Sequence, residues 1–282
     1  MGLSTGLENV NVLVTGASGG IGLNTVLAFL DEGANVYAHY NSNLSTLDAL
    51  KLSHPADIYR LHAVKADLSS ERSVKNLFED IGNTNTISVI VVNHGIWPSD
   101  DIPLVSMSLD QWNNTISTNL TSSFLVIREY LRRLSGSNIP EGVRDKASVI
   151  LIGSTAGKYG EAGHVDYACS KSAMMNGLLL SLKNEIVNIA PKGRVNCVSP
   201  GWVRTPMAES ALADPNRVYR ALATTPLKKV ASPKDIASQI VVLASPILSG
   251  HVTGQNIMVE GGMEGRLLNL PQDIDISKAR GD

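Results

Sequence analysis

The chain alternates short apolar, β-branched runs with longer amphipathic stretches along most of its length. Runs at residues 10–14, 35–40, 58–66, 87–92, 147–152, 194–198 and 255–260 read as seven strands. Several are apolar at consecutive positions, the pattern of strands buried on both faces of a parallel sheet. Between them, residues 21–31, 45–53, 70–81, 109–134, 166–189 and 233–244 read as helices. Ser69 or Ser70 is placed to cap the third of these. Ser232-Pro233-Lys234-Asp235 opens the last with a hydroxyl cap, a proline at the first helical position and an acid at the third. Strand–helix alternation predicts an α/β fold, a doubly wound parallel sheet of about seven strands with helices on both faces. No Pro/Gly/Ser-rich linker or composition shift divides the chain, so a single domain spanning 1–282 is expected. Residues 135–146 read as a surface loop, the irregular stretch 202–230 as a lid over a site, and 271–282 as a polar tail.

Composition narrows the function classes. The chain has 282 residues, 43% hydrophobic and 18% charged, enough for a sizeable core. A net charge of −2 without a basic stripe argues against nucleic acid as a partner. No apolar run reaches the ~18 residues of a membrane span. The N-terminus lacks a secretory pattern, and Gly6 stands where a myristoylation signal needs a hydroxyl. Cys169 and Cys197 form no disulfide framework, which fits a cytoplasmic protein. The histidines show no metal-ligand spacing, so no catalytic metal is expected.

Two local patterns carry chemistry. Thr15-Gly16-Ala17-Ser18-Gly19-Gly20-Ile21-Gly22 follows the first strand and opens the first helix. Gly16 suits a tight turn with positive φ, Gly20 a close ligand approach and Gly22 close helix–strand packing. Backbone N–H groups at the helix start then face an anion, as in a dinucleotide pyrophosphate site. The absence of Gly-Lys-Ser/Thr argues against a nucleoside-triphosphate loop. The second pattern is Tyr167 and Lys171, four residues apart on one helical face, with Ser154 13 residues upstream of the tyrosine. A phenol beside a fixed cation can serve as proton donor and acceptor, because the cation lowers its pKa.

Together these residues resemble the short-chain dehydrogenase/reductase family over roughly residues 8–264. Thr15 to Gly22 matches its Thr-Gly-x-x-x-Gly-x-Gly motif, and Asp67-Leu68 resembles the pair that meets the adenine. Asn93-His94-Gly95 resembles the Asn-Ala-Gly ending after the fourth strand, with His94 as a departure. Asn119, Ser154, Tyr167 and Lys171 match the catalytic set. Pro200-Gly201-Trp202-Val203-Arg204-Thr205 resembles the segment that contacts the nicotinamide carboxamide. The resemblance implies a Rossmann-type fold and hydride transfer between a nicotinamide and a carbonyl/alcohol pair. Tyr167 would exchange the proton, Ser154 would hold the oxygen, Lys171 would lower the tyrosine pKa and reach the ribose, and Asn119 would hold a water. It also implies a homotetramer using the helices at 109–134 and 166–189, with the Leu178-Leu179-Leu180 run in the second.

The cofactor contacts implied are Gly16, Ser18, Gly19, Gly20, Ile21, Gly22, His39, Tyr40, Asn41, Ser42, Asp67, Leu68, Asn93, Gly95, Tyr167, Lys171, Pro200, Gly201, Val203 and Thr205. His39 occupies the position where NAD users carry an acid for the ribose 2′-hydroxyl. Nothing there repels a 2′-phosphate, and Tyr40, Asn41, Ser42 and Asn43 offer neutral donors, so NADP(H) is favoured with NAD(H) open. A small carbonyl or alcohol substrate is expected among Trp97, Lys158, Tyr159, Glu161, His164, Trp202 and Met207. The alternatives are a 3-oxoacyl thioester reductase using Arg204, Arg217, Lys228 and Lys229 as a carrier-binding patch, a sugar or polyol dehydrogenase, or a dinucleotide-sensing regulator.

Overall fold

The computed structural model describes residues 4–82 and 85–273. Residues 274–282 of the expected tail, and residues 1–3 of the segment read for a lipid signal, lie outside the described residues. The strands are β1 (Asn11–Val14), β2 (Asn35–Tyr40), β3 (Leu61–Lys65), β4 (Val89–Val92), β5 (Ser148–Ile152), β6 (Arg194–Pro200) and β7 (Asn256–Val259). The helices are α1 (Gly20–Asp31), α2 (Ser45–Ser53), α3 (Glu71–Ile81), α4 (Leu109–Ile116), α5 (Ser122–Leu134), α6 (Glu141–Arg144) and α7 (Thr155–Tyr159). They continue with α8 (Val165–Ala173), α9 (Leu179–Glu185), α10 (Glu209–Leu212), α11 (Pro215–Leu222) and α12 (Pro233–Ala244).

All strand pairs are parallel, in the order β3-β2-β1-β4-β5-β6-β7. Alternation within the central strands builds two cores. Leu13, Ile90, Val92, Val149 and Leu151 join one cluster with residues of α3, α5 and α9. Val12, Val14, Val89, Val91, Ile150 and Ile152 join the other with residues of α1, α2 and α12. Winding reverses between β1 and β4, which opens a crevice at the carboxyl ends of the strands.

The ends of several elements differ from the sequence reading. The third strand starts at Leu61, because Pro55 opens a 3₁₀ segment over Pro55–Arg60. Both long helices contain a π turn, at Ser117–Thr121 and Met174–Leu178. In the first, the hydroxyls of Ser122 and Ser123 donate to the carbonyls of Thr118 and Asn119, which satisfies acceptors in the widened turn. The loop at 135–146 contains α6, and the stretch at 202–230 carries α10 and α11 rather than irregular chain. Ser70 is the cap of α3, accepting from Ser73 N. Ser232 and Asp235 form a full capping box on α12, a device in which the hydroxyl alone contributes about 1 kcal/mol.

Candidate active site

The turn after β1 is shaped by glycine. Gly16 has φ +63°, and a Cβ on it would stand 2.9 Å from His94 Cα. Asn93 Nδ2 donates to the carbonyls of Thr15 (3.0 Å) and Gly16 (3.1 Å), pinning the turn to the end of β4. No side chain caps α1, so the N–H groups of Gly20, Ile21 and Gly22 point outward without intrahelical partners. Ser18, Gly19, Gly20, Ile21 and Gly22 line a cleft of about 910 Å³ at the crevice. Asp67 and Leu68, after β3, share that wall, with Asp67 Oδ1 held by the Ser69 N–H and hydroxyl.

Of the expected cofactor contacts, Tyr40 is off the cleft wall and His39 is limited by its own bonding. His39 borders the cleft, but its Nδ1 accepts from Gly16 N (3.1 Å) and its Nε2 faces Ala66 O (3.0 Å). Both ring nitrogens are therefore committed, and burial pushes the imidazole pKa down, so it stays neutral and offers no donor to a phosphate. Tyr40 turns onto the core cluster beside β2 and is absent from the cleft wall. Asn41, Ser42, Asn43 and Thr46 form that wall instead. Asn43 joins the start of α2 through Thr46 Oγ1 (3.2 Å) and Ser45 Oγ (2.7 Å).

The chemical groups converge on the same cleft. Ser154 lies two residues past β5 and caps α7, its Oγ accepting from Ala156 N at 3.1 Å. Tyr167 and Lys171 lie one turn apart on α8. Asp166 anchors that helix, accepting from Tyr167 N (2.8 Å) and, across to α4, from Thr115 Oγ1 (2.7 Å). Lys171 is buried, and its Nζ donates to Ile152 O at 2.8 Å. Burial brings its pKa down to about 8. Burial pushes Tyr167 up to about 12, with the Ser154 hydroxyl opposing the shift. The upward direction comes from burial, not from Lys171: its ammonium stands 5.7 Å from the Tyr167 ring centre and faces a carbonyl, and loss of water around the phenol dominates.

Asn119 sits behind this group, in the π turn and outside the cleft wall. Its Nδ2 donates to Ile96 O (3.0 Å) and Ser170 Oγ (3.2 Å), and its Oδ1 accepts from Ile96 N (2.8 Å). Both amide N–H groups are committed, leaving one lone pair on Oδ1. A Cβ on Gly95 would stand 3.1 Å from that oxygen and 3.7 Å from Lys171 Nζ, so the glycine keeps open the space between them. His94 bridges the glycine turn to the π turn, with Nδ1 2.8 Å from Thr15 Oγ1 and Nε2 2.7 Å from Ser122 Oγ. Burial brings its pKa down to about 3, so it acts as a neutral strut.

At the far end, Trp97, Glu161, Trp202 and Met207 line the cleft with Pro200, Gly201, Val203 and Thr205. Trp97 and Trp202 meet edge-on with ring centres 6.1 Å apart. Tyr159 and His164 do not reach the wall. The Tyr159 hydroxyl donates to Met263 O (2.6 Å) and its ring carries the Lys158 ammonium, while His164 lies under Trp97 and bonds Asp101. Thr46 and Arg266 line the cleft and were missed. Thr15, the first residue of the motif, anchors the turn from below, its Oγ1 accepting from Asn93 N (2.9 Å); Arg266 lies beyond the last motif and gives no local signal. Among the described residues, no group of three or more His, Cys, Asp or Glu could hold a metal. None of the described helices is long and apolar enough to cross a membrane.

Residues 16–264 match the family model described as enoyl-(acyl carrier protein) reductase. A 3-oxoacyl-acyl-carrier-protein reductase of Chlamydia pneumoniae is 34% identical over 263 residues, covering 91% of this chain and 98% of the relative. The Thermotoga maritima enzyme of the same name is also 34% identical, over 265 residues, covering 91% and 98%. Among solved structures, a short-chain dehydrogenase/reductase of the glucose/ribitol dehydrogenase type from Brucella melitensis superposes with a TM-score of 0.79 at 32% identity, covering 93% of this chain and 99% of that one.

Proposed function

Because the chain belongs to the short-chain dehydrogenase/reductase family of NAD(P)-dependent oxidoreductases, we propose that it is an NADPH-dependent reductase of small ketones. The observation that carries this reading is the meeting of Ser154, Tyr167 and Lys171 with an uncapped, glycine-lined helix start in one cleft. The residues present fit the cofactor. A side chain at Gly20 would fill the cradle, its Cβ coming within 2.8 Å of Thr205 Cγ2, and one at Gly22 would push the helix start off the turn. A nicotinamide dinucleotide supplies the hydride when bound.

The protein supplies position and protons. Ser154 hydrogen-bonds the substrate carbonyl oxygen and stabilises negative charge as it develops there. Tyr167, whose pKa lies near 12, carries its proton throughout the physiological range and donates it to that oxygen. Lys171 follows it as the next proton source. A water over Gly95 would lie within reach of both Asn119 Oδ1 and Lys171 Nζ, and so connect the relay outward. The wall of Asn41, Ser42, Asn43 and Thr46 holds no acid, which supports a 2′-phosphate and hence NADPH.

A pH dependence follows. With Lys171 near 8 and Tyr167 near 12, reductive kcat falls once as pH rises through about 8, where the lysine proton is lost. Lys171→Met removes that inflection along with most of the rate. A profile from about pH 6 to 10 that stays flat in the parent enzyme contradicts the relay. Stability runs the other way: the folded pKa of Lys171 lies below its unfolded value, so between about 8 and ~10.4 the unfolded chain holds the proton the folded chain releases, and stability rises with pH across that window.

The curated relatives favour a second reading, a 3-oxoacyl thioester reductase. Of the basic residues such a reading needs, Arg217 is engaged by Asp101 and Asp214. Turnover of NADPH, followed at its absorbance band, with a small methyl ketone and with a 3-oxoacyl thioester decides between them. The proposal expects the ketone to be the better substrate by kcat/KM, and a thioester preference rejects it. Leu109 (70% exposed), Phe124 (46%) and Leu180 (46%) on the two long helical segments support a homo-oligomer, read as a tetramer. Sedimentation as a monomer at micromolar concentration would refute that. The free Cys169 and Cys197 fit a reducing cytoplasm.

A further inference from the structure

Arg266 lies two residues past the end of the family match, yet its guanidinium forms part of the cleft wall beside Tyr167 and Ser154. It is fixed there from three sides. Nη2 donates to Glu161 Oε2 (2.6 Å) and approaches Thr155 Oγ1 (3.5 Å), and Nε donates to Gly160 O (3.1 Å). The ion pair is largely shielded, with 18% of the Arg266 side chain and 23% of the Glu161 side chain exposed. Nη1, with two N–H groups, has no partner among the described residues. The wall therefore offers a hydrogen-bond donor that carries no net charge, because Glu161 balances Arg266. Both groups act on Tyr167 in opposite senses, Glu161 raising its pKa and Arg266 lowering it, which places the pair close to the reacting position.

Resting on the carbonyl-reductase reading, we propose that Arg266 and Glu161 form a charge-balanced substrate subsite, which accepts neutral carbonyl compounds bearing a second polar oxygen and discriminates against carboxylates. Arg266 Nη1 donates to that second oxygen, while Trp97 and Trp202 line the same cleft with apolar surface. A carboxylate in the same place would share one guanidinium with the Glu161 carboxylate, and like charges that close disfavour each other. Burial raises the Glu161 carboxyl pKa and Arg266 most strongly opposes it, with His164, Asp101 and Arg217 acting more weakly, so the ion pair with Arg266 is what keeps the carboxylate charged.

The test uses one ketone in two charge states, 4-acetylbenzoate and its ethyl ester, with the full-length enzyme and NADPH. Both kcat/KM and equilibrium binding to the NADPH complex are measured. The parent enzyme is expected to favour the ester. Glu161→Gln keeps an acceptor for Arg266 but removes the balancing charge, so the carboxylate/ester ratio should rise by ~10-fold or more, the scale of a charge-assisted hydrogen bond. Arg266→Met leaves Glu161 alone and should lower the ratio. Opposite signs in the two variants are a signature that simple loosening of the fold does not produce. Ratios that stay constant, or move the same way in both variants, overturn the subsite. If both probes bind but neither is reduced, the carbonyl-reductase reading fails while the binding ratio still judges the pair. If neither probe binds to any variant, both are rejected.

Discussion

Replacing Tyr167 with Phe lowers kcat for carbonyl reduction by about 10³-fold, within the range by which a general acid accelerates such steps. The change removes one oxygen from a half-buried ring and keeps its volume, so the fold has little reason to respond. The polar groups that flank the phenol are already engaged. Ser154 Oγ is already the cap of α7, and Lys171 Nζ is directed at Ile152 O. The loss therefore belongs in kcat, with an unchanged melting temperature as the control. Steady-state rates within tenfold of the parent enzyme would remove Tyr167 from the chemistry.

Gly22→Ala is expected to be nearly as damaging, through binding. Its methyl would run into Gly16 O and lie 2.8 Å from both Ala17 Cα and Asn93 Nδ2. None of these can move cheaply: two belong to the backbone of the turn, and the third is the side chain that pins the turn to β4. Relief must come by displacing α1, whose first N–H groups form the anion site. Overpacking of this kind costs about 1–3 kcal/mol of stability. Loss of the amide array should weaken dinucleotide affinity by ~100-fold, about 2.7 kcal/mol. Gly142→Ala is the control, since among the described residues no atom lies within 4 Å of its added Cβ and it lies in α6, outside the cleft wall. Titration calorimetry in which Gly22→Ala keeps parent affinity would show that the turn is not the phosphate cradle.

What was legible in the sequence was local. The glycine turn, the Tyr167–Lys171 spacing and the Ser232 box each lie within a few residues, where helix geometry fixes which groups meet. The alternation of strands was legible too, since Val89 to Val92 are buried on both faces and read as a continuous apolar run. Distant partners left no trace in the sequence. His39 borders the cleft as expected, but its ring nitrogens are claimed by Gly16 and Ala66, 23 and 27 positions away. Asn119 is committed to Ile96 and Ser170, 23 and 51 positions away, and nothing near it in the chain announces either. The π turns were invisible because one extra residue barely disturbs an apolar periodicity. Tyr167 shows a different limit: spacing puts a cation on the same helical face, but the direction of a pKa shift depends on where that cation points and how dry the phenol is.

The most direct test of the account is a paired titration of the purified protein with NADPH and NADH, read by quenching of tryptophan fluorescence. Trp97 and Trp202 line the cleft and should report occupancy. The account predicts tight NADPH binding and NADH binding weaker by ~10-fold or more, the scale of a 2′-phosphate held by several hydrogen bonds. A preference for NADH would contradict the reading of the Asn41–Asn43 wall, and binding of neither would contradict the oxidoreductase site itself.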